Sequence, residues 1–139
     1  MIFIICAALV PLGICPRTVL DKNNNCITYN SFNKVTHKCD IKDADKLIIN
    51  ILKSGHKGRT YYHAELTFVF GDKSYSFREV DFGKMTSEER LQYMLKIKSM
   101  FEDDRYEITN VDRMDKLIKD NHYSEKEIKL VYELFEYTK

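Results

Sequence analysis

The sequence predicts an α+β domain with an antiparallel sheet and helices on one face. Three observations predict it. Tyr61–Phe70 alternates apolar and polar residues with period two, as a half-buried strand does. Gly71-Asp72 follows, a pair suited to a two-residue hairpin turn. Thr86-Ser-Glu-Glu89 and Ser124-Glu-Lys-Glu127 are capping boxes, each opening an apolar stripe at helical spacing.

The elements follow in chain order. Met1–Val10 is an unbroken apolar run, interrupted by Pro11 and Gly13. Two readings of residues 1–15 stand. One is a buried first strand, supported by β-branched Ile2, Ile4 and Ile5. The other is a signal peptide, although no Lys or Arg precedes the run and cleavage after Gly13 would set Pro11 at −3. The strand is the preferred reading. It leaves residues 16–139 as a single α+β domain, in the cytoplasm; the signal-peptide reading makes the chain secreted. The cysteines stand at 6, 15, 26 and 39. Cys26 and Cys39 could close a loop in an exported chain, whereas all four stay reduced in the cytosol.

Thr18–Asp21 and Cys26–Tyr29 read as two short strands around an Asn-rich turn, and Phe32–His37 as a further extended segment. Asp40 is an N-cap candidate for a helix whose stripe is Ile41, Ala44, Ile48, Ile51 and Leu52, stopped by Gly55. After the Tyr61–Phe70 strand, Lys73–Asp81 returns. The expected register sets Phe68 opposite Tyr75, Leu66 opposite Phe77 and Glu65 opposite Arg78. The second helix carries Leu91, Met94, Leu95, Ile97 and Phe101. The acidic run Glu102–Asp104 marks its exit, since anions oppose a helix C-terminus. Arg105–Thr109 alternates as a strand. Asn110 opens a short helix with Met114, Leu117 and Ile118, and Ser124 opens a last one with Ile128, Val131, Tyr132 and Phe135. The order from Cys26 matches a ferredoxin-like, split βαβ core plus two C-terminal helices. That core hosts many functions and specifies none.

Charge narrows the function classes. With 22 Lys+Arg against 21 Asp+Glu the net charge is +1, unlike a general nucleic-acid coat. The balance is uneven: residues 1–60 carry a basic excess and 61–139 an acidic one. The final helix pair is not cationic, which excludes a DNA-reading helix-turn-helix. No CxxC-type pair supports a metal site around His37 and Cys39, and no motif calls for a cofactor. No local signature surrounds any cysteine as a nucleophile.

Two constellations carry chemistry. His63 and Glu65 share a strand face with Arg78 opposite, a set suited to acid–base work or to gripping an anion. The stretch Lys53–Thr60 holds Lys53, His56, Lys57 and Arg59 and no acid. Its Gly55-His-Lys-Gly58 resembles the GXXG loop of KH RNA-binding domains over four residues. The resemblance implies close backbone approach to phosphates. A KH loop leads into a helix, whereas Tyr61 onward alternates as a strand.

Tyr61, Tyr106, Tyr123 and Tyr137 lie where a core does not need them, and exposed Tyr suits protein interfaces. The leading expectation is a small non-enzymatic protein-binding domain, such as an inhibitor, immunity protein or adaptor, without a membrane span. Its binding residues are Lys53, His56, Lys57, Arg59, Tyr61, His63, Glu65 and Arg78. The alternatives are nucleic-acid or phosphate binding through Gly55–Thr60, and a small hydrolase using His63 and Glu65.

Overall fold

The computed structural model describes residues 17–138, so both readings of residues 1–15 lie outside the described residues. The described chain divides into two compact units, residues 17–43 and 44–138. Among the described residues the α+β class is as expected: two sheets, mostly antiparallel, and three α-helices.

The first unit is a three-stranded antiparallel meander of β1 (Arg17–Leu20), β2 (Asn25–Tyr29) and β3 (Val35–Asp40). Its turns are built from short polar side chains. Asp21 Oδ1 accepts the backbone N–H groups of Asn23 and Asn25 at 2.9 Å each, and Asn24 adopts φ 63°. The hydrogen bond donated by the Asn25 backbone N–H is the main reason that the Asp21 carboxyl sits below its ordinary pKa. Asn30 Oδ1 repeats the device, accepting from Phe32 N at 2.9 Å and Lys34 N at 3.0 Å. The extended segment expected at Phe32–His37 therefore begins at Val35.

The second unit holds a four-stranded sheet in the order β6-β5-β4-β7. Its strands are β4 (Lys46–His56), β5 (Arg59–Phe70), β6 (Lys73–Arg78) and β7 (Tyr106–Thr109). The helices are α1 (Ser87–Lys98), α2 (Met114–Asn121) and α3 (Glu125–Leu134). Strand β4 corrects an expectation. The helix predicted from Asp40 is a 3-10 turn at Ile41–Asp43 followed by an eleven-residue strand. The run Leu47–Leu52 fits both periods. Its β-branched Ile48, Ile49 and Ile51 favour the strand, and pairing along the whole of β4 with β5 decides it. Leu47, Ile49 and Ile51 are buried, while Ile48, Asn50 and Leu52 on the opposite face are half-buried. The expected helix and the strand after it are thus the β4–β5 hairpin, while the expected opening strand, Cys26–Tyr29, belongs to the three-stranded sheet of the first unit. A later crossover remains: β7 lies parallel to β4, reached through α1.

The β5–β6 hairpin has the expected register, with Leu66↔Phe77, Phe68↔Tyr75 and Glu65↔Arg78. Gly71 takes φ 61° and Asp72 does not turn positive, as a type II′ turn requires. Asp45 grips this turn: its Oδ2 accepts Gly71 N at 2.7 Å, and its own N–H donates to Val69 O at 2.8 Å. Strand β6 ends at Arg78, three residues short of the expected Asp81. Glu79–Phe82 instead coils into a 3-10 turn, and Asp81 Oδ2 accepts Arg78 N at 2.8 Å.

Both capping boxes form as read, on Thr86 with Glu89 and on Ser124 with Glu127. The helices cover the sheet face of Tyr62, Ala64, Leu66 and Phe68. Phe68 meets Phe101, just past α1, at 6.3 Å between ring centroids. On α2, Asp120 Oδ2 accepts Tyr62 N at 3.0 Å, and Asn121 Nδ2 donates to Tyr62 O at 3.0 Å. Leu47, Ile49, Leu66, Phe68, Leu91, Met94, Ile97 and Leu117 are buried completely. Each such side chain contributes on the order of 1.5–3 kcal/mol.

Candidate functional site

The predicted binding residues gather on one hairpin and one sheet face. Strands β4 and β5 outrun their neighbours: β7 pairs with β4 only over Leu47–Asn50, and β6 with β5 only over Glu65–Phe70. The first residues past those limits are still held from the side. Arg113 Nη1 donates to Ile51 O at 3.1 Å, and the two α2 side chains bracket Tyr62. Beyond them, β4 and β5 continue as a two-stranded ribbon.

The ribbon closes on His56↔Arg59, with Lys57 and Gly58 at the tip. Their φ angles are 51° and 76°, both positive as a type I′ turn requires. Gly58 accepts this geometry freely, but Lys57 is strained by about 1–2 kcal/mol as a non-glycine left-handed residue. Gly55–Thr60 was expected as a loop after a helix, and Gly55–Gly58 as similar to a KH loop. It is a hairpin tip with a strand on each side, which is not the KH arrangement. Lys53 and all residues from Gly55 to Tyr61 are exposed. Tyr61 keeps 38% of its surface free. Cations on such unpaired strand edges also oppose edge-to-edge aggregation.

Alternation sorts the predicted residues. His56, Arg59, Tyr61, His63, Glu65 and Arg78 share one sheet face, as register partners or alternate positions. Lys53 lies on the other face, opposite Tyr62. Across the shared face runs a row from all four strands: Thr109, Asn50, Glu65 and Arg78. Asn50 organises its centre. Its Oδ1 accepts Thr109 Oγ1–H at 2.9 Å and Asn110 Nδ2–H at 2.6 Å, while its Nδ2 donates to Glu65 Oε1 at 3.5 Å. Thr67 Oγ1 also donates to Glu65 Oε1 at 3.5 Å. Arg78 and Glu65 are register partners, but the Arg78 ion pair is with Asp81 at 3.9 Å. Partial burial, with Arg78 adding to it, holds the His63 imidazole below its ordinary pKa. The carboxylates Asp120, Glu79 and Asp81 oppose that shift.

The tyrosines divide. Tyr61 is exposed as expected, and Tyr106 and Tyr137 are half-buried. Tyr123 is a correction, being 7% exposed. Its hydroxyl donates to Glu79 Oε2, so an amphipathic side chain is buried with its polar end satisfied. Glu79 was not anticipated at all. Only its setting between Ser87 and Arg90 of α1 and Tyr123 before α3 explains it, and those lie on two segments further along the chain than β6.

Two surface cavities, of about 490 and 350 Å³, are also present in the second unit. None of the predicted binding residues lines either. Among the described residues no cluster of His, Cys, Asp or Glu is arranged to hold a metal, and no helix is long and apolar enough to cross a membrane. No protein family, curated relative or solved structure matches this chain.

Proposed function

We propose that the chain is a non-enzymatic protein-binding domain that docks the tip of its β4–β5 hairpin on an acidic surface of a protein partner. The single observation that carries this reading is Lys57. A type I′ tip favours Asn or Gly, yet here a strained lysine holds the apex. Around it the exposed ribbon offers Lys53, His56 and Arg59 with no acid between, and Tyr61 adds rigid contact area. The near-neutral net charge favours a protein surface over a nucleic acid, whose binding draws on a broad cationic footprint. The reading takes the cytoplasm as the compartment, with residues 1–15 retained.

A photo-crosslinking residue at exposed position 60 of the full chain, which leaves Lys57 in place, tests it, with the same residue at exposed position 129 on α3 as the control. The expected result is a protease-sensitive adduct at 60 alone. It maps to an Asp/Glu-rich peptide of the partner and weakens with salt and with Lys53→Ala plus Arg59→Ala. A nuclease-sensitive adduct replaces the proposal with nucleic-acid binding. Equal labelling at 60 and 129 overturns both.

A further inference from the structure

The first unit brings two thiols and an imidazole together. Cys26 on β2 and Cys39 on β3 are direct register partners. Residues so placed stand about 4.5–5.5 Å apart at Cα. A disulfide spans about 4.4–6.8 Å. Both sulfurs are free thiols. His37 lies two residues before Cys39 on the same face of β3, and its Nε2 is 3.0 Å from Cys39 Sγ. Cys39 and His37 are half-buried, so a small reagent can reach them, whereas Cys26 is 1% exposed.

We propose that Cys39, Cys26 and His37 form a thiol–disulfide exchange site that takes small-molecule disulfides as its oxidant. Cys39 is the attacking thiol, His37 the base beside it, and Cys26 the resolving thiol. In the first step Cys39 Sγ attacks one sulfur of the small disulfide while its proton passes to His37. The S–S bond breaks, a mixed disulfide forms on Cys39, and the leaving small thiolate takes that proton back from His37 and departs as a thiol. In the second step Cys26 Sγ attacks Cys39 Sγ and releases the other small thiol, which takes the Cys26 proton. Two protein thiols are oxidised to one cross-strand disulfide, and one small disulfide is reduced to two thiols.

The order of attack follows from the surroundings. Burial, then the neighbouring Cys39 and Asp21, pushes the Cys26 thiol up to about 12. Cys26 therefore stays protonated at neutral pH and does not initiate exchange. Once Cys39 carries the mixed disulfide, its sulfur lies directly across the strand pair from Cys26, which makes the second step intramolecular and offsets the small thiolate fraction of Cys26.

The test treats the full reduced chain with oxidised glutathione, followed by acid quenching, alkylation and peptide mass mapping. The expected first product is glutathione on Cys39, converting to a Cys26–Cys39 link. In Cys26→Ala the mixed disulfide accumulates on Cys39. In His37→Gln the first step slows by about tenfold or more, as loss of a positioned base predicts. A mixed disulfide on Cys39 that never resolves in the native chain overturns the proposal, as does a link from Cys39 to Cys6 or Cys15. An unchanged rate in His37→Gln overturns the role of the imidazole.

Discussion

The Tyr123 hydroxyl donates to Glu79 Oε2 at 2.5 Å across 44 residues of sequence. Glu79 is the buried charged residue of the described chain, at 3% exposure. Ser87 Oγ donates to its Oε1 at 2.8 Å, and Arg90 Nε lies 3.5 Å from the same oxygen. Arg90 is held in turn by Met85 O at 2.7 Å from Nη1. Three segments thus meet on one carboxylate: the turn after β6, the start of α1 and the entry to α3.

Tyr123→Phe is expected to lower stability by about 1–3 kcal/mol, because it leaves a buried carboxylate oxygen without its donor. Glu79→Ala is expected to cost more, because it strands the Arg90 guanidinium. Urea unfolding followed by circular dichroism reads both. A cost below about 0.5 kcal/mol for Tyr123→Phe would show that water replaces the hydroxyl.

Lys57→Gly is expected to raise stability by about 1 kcal/mol, since glycine occupies φ 51° without strain. The same substitution is expected to weaken partner binding. A thermal melt reads the first effect, and crosslinking from position 60 in the Lys57→Gly chain reads the second. Gly58→Val should act oppositely on the fold, lowering stability by about 1–2 kcal/mol at φ 76°.

Tyr106 and Glu136 predict pH dependence at both extremes. The Tyr106 hydroxyl donates to Glu136 Oε1 at 2.6 Å. That bond, with Lys98 nearby, holds the Glu136 carboxyl below its ordinary 4.5, while the same bond raises Tyr106 from 10.0 to about 12. A depressed carboxyl contributes stability above pH 4.5, and that contribution disappears as pH falls through the folded value. A raised phenol contributes below pH 10 and loses its contribution between 10 and about 12. Tyr106→Phe is therefore expected to flatten the stability profile at both ends, in melts taken from pH 3 to 11. Because Glu136 is largely exposed, salt screens the acid limb and the slope there is shallow.

Asn50→Ala is expected to destabilise by about 1–2 kcal/mol, because Thr109 and Asn110 both lose their acceptor. Amide exchange at β7 should accelerate more than exchange at β6. Equal acceleration would mean that the row across the sheet does not hold β7 in place.

Local signals in the sequence reached far into this fold. The Glu65↔Arg78 register followed from alternation plus one turn, and both capping boxes from four residues each. The strand at Lys46–His56 was not legible, because Ile41, Ala44, Ile48, Ile51 and Leu52 also satisfy a helical stripe. What decides it is a partner strand that begins only at Arg59. The candidate site divides in the same way. Period-two spacing puts Tyr61, His63 and Glu65 on one face, and the register agrees; Arg59, which the sequence sets in a loop, joins that face because β5 begins two residues earlier. Lys53 lies on the opposite face by alternation along β4, which a helical stripe before Gly55 conceals. The sequence already offers Cys26 with Cys39 as a pair that could close a loop; what it does not encode is the β2–β3 register that sets them directly opposite, with the His37 imidazole beside Cys39.

The sheet's connectivity also bears on how fast it assembles. Strands β4, β5 and β6 are joined by two-residue turns, so their pairing closes almost no loop. Strand β7 must return to β4 from far along the chain: Thr109 and Asn50 are 59 residues apart. Contacts of such different sequence separation form at different stages, the local ones first. The β4–β6 meander is therefore the natural folding nucleus. Substitutions at Leu66 or Phe77 should slow folding, whereas substitutions at Ile108 should mainly speed unfolding. The basic tip, at the hinge of that nucleus, is in place before the rest of the domain closes around the sheet.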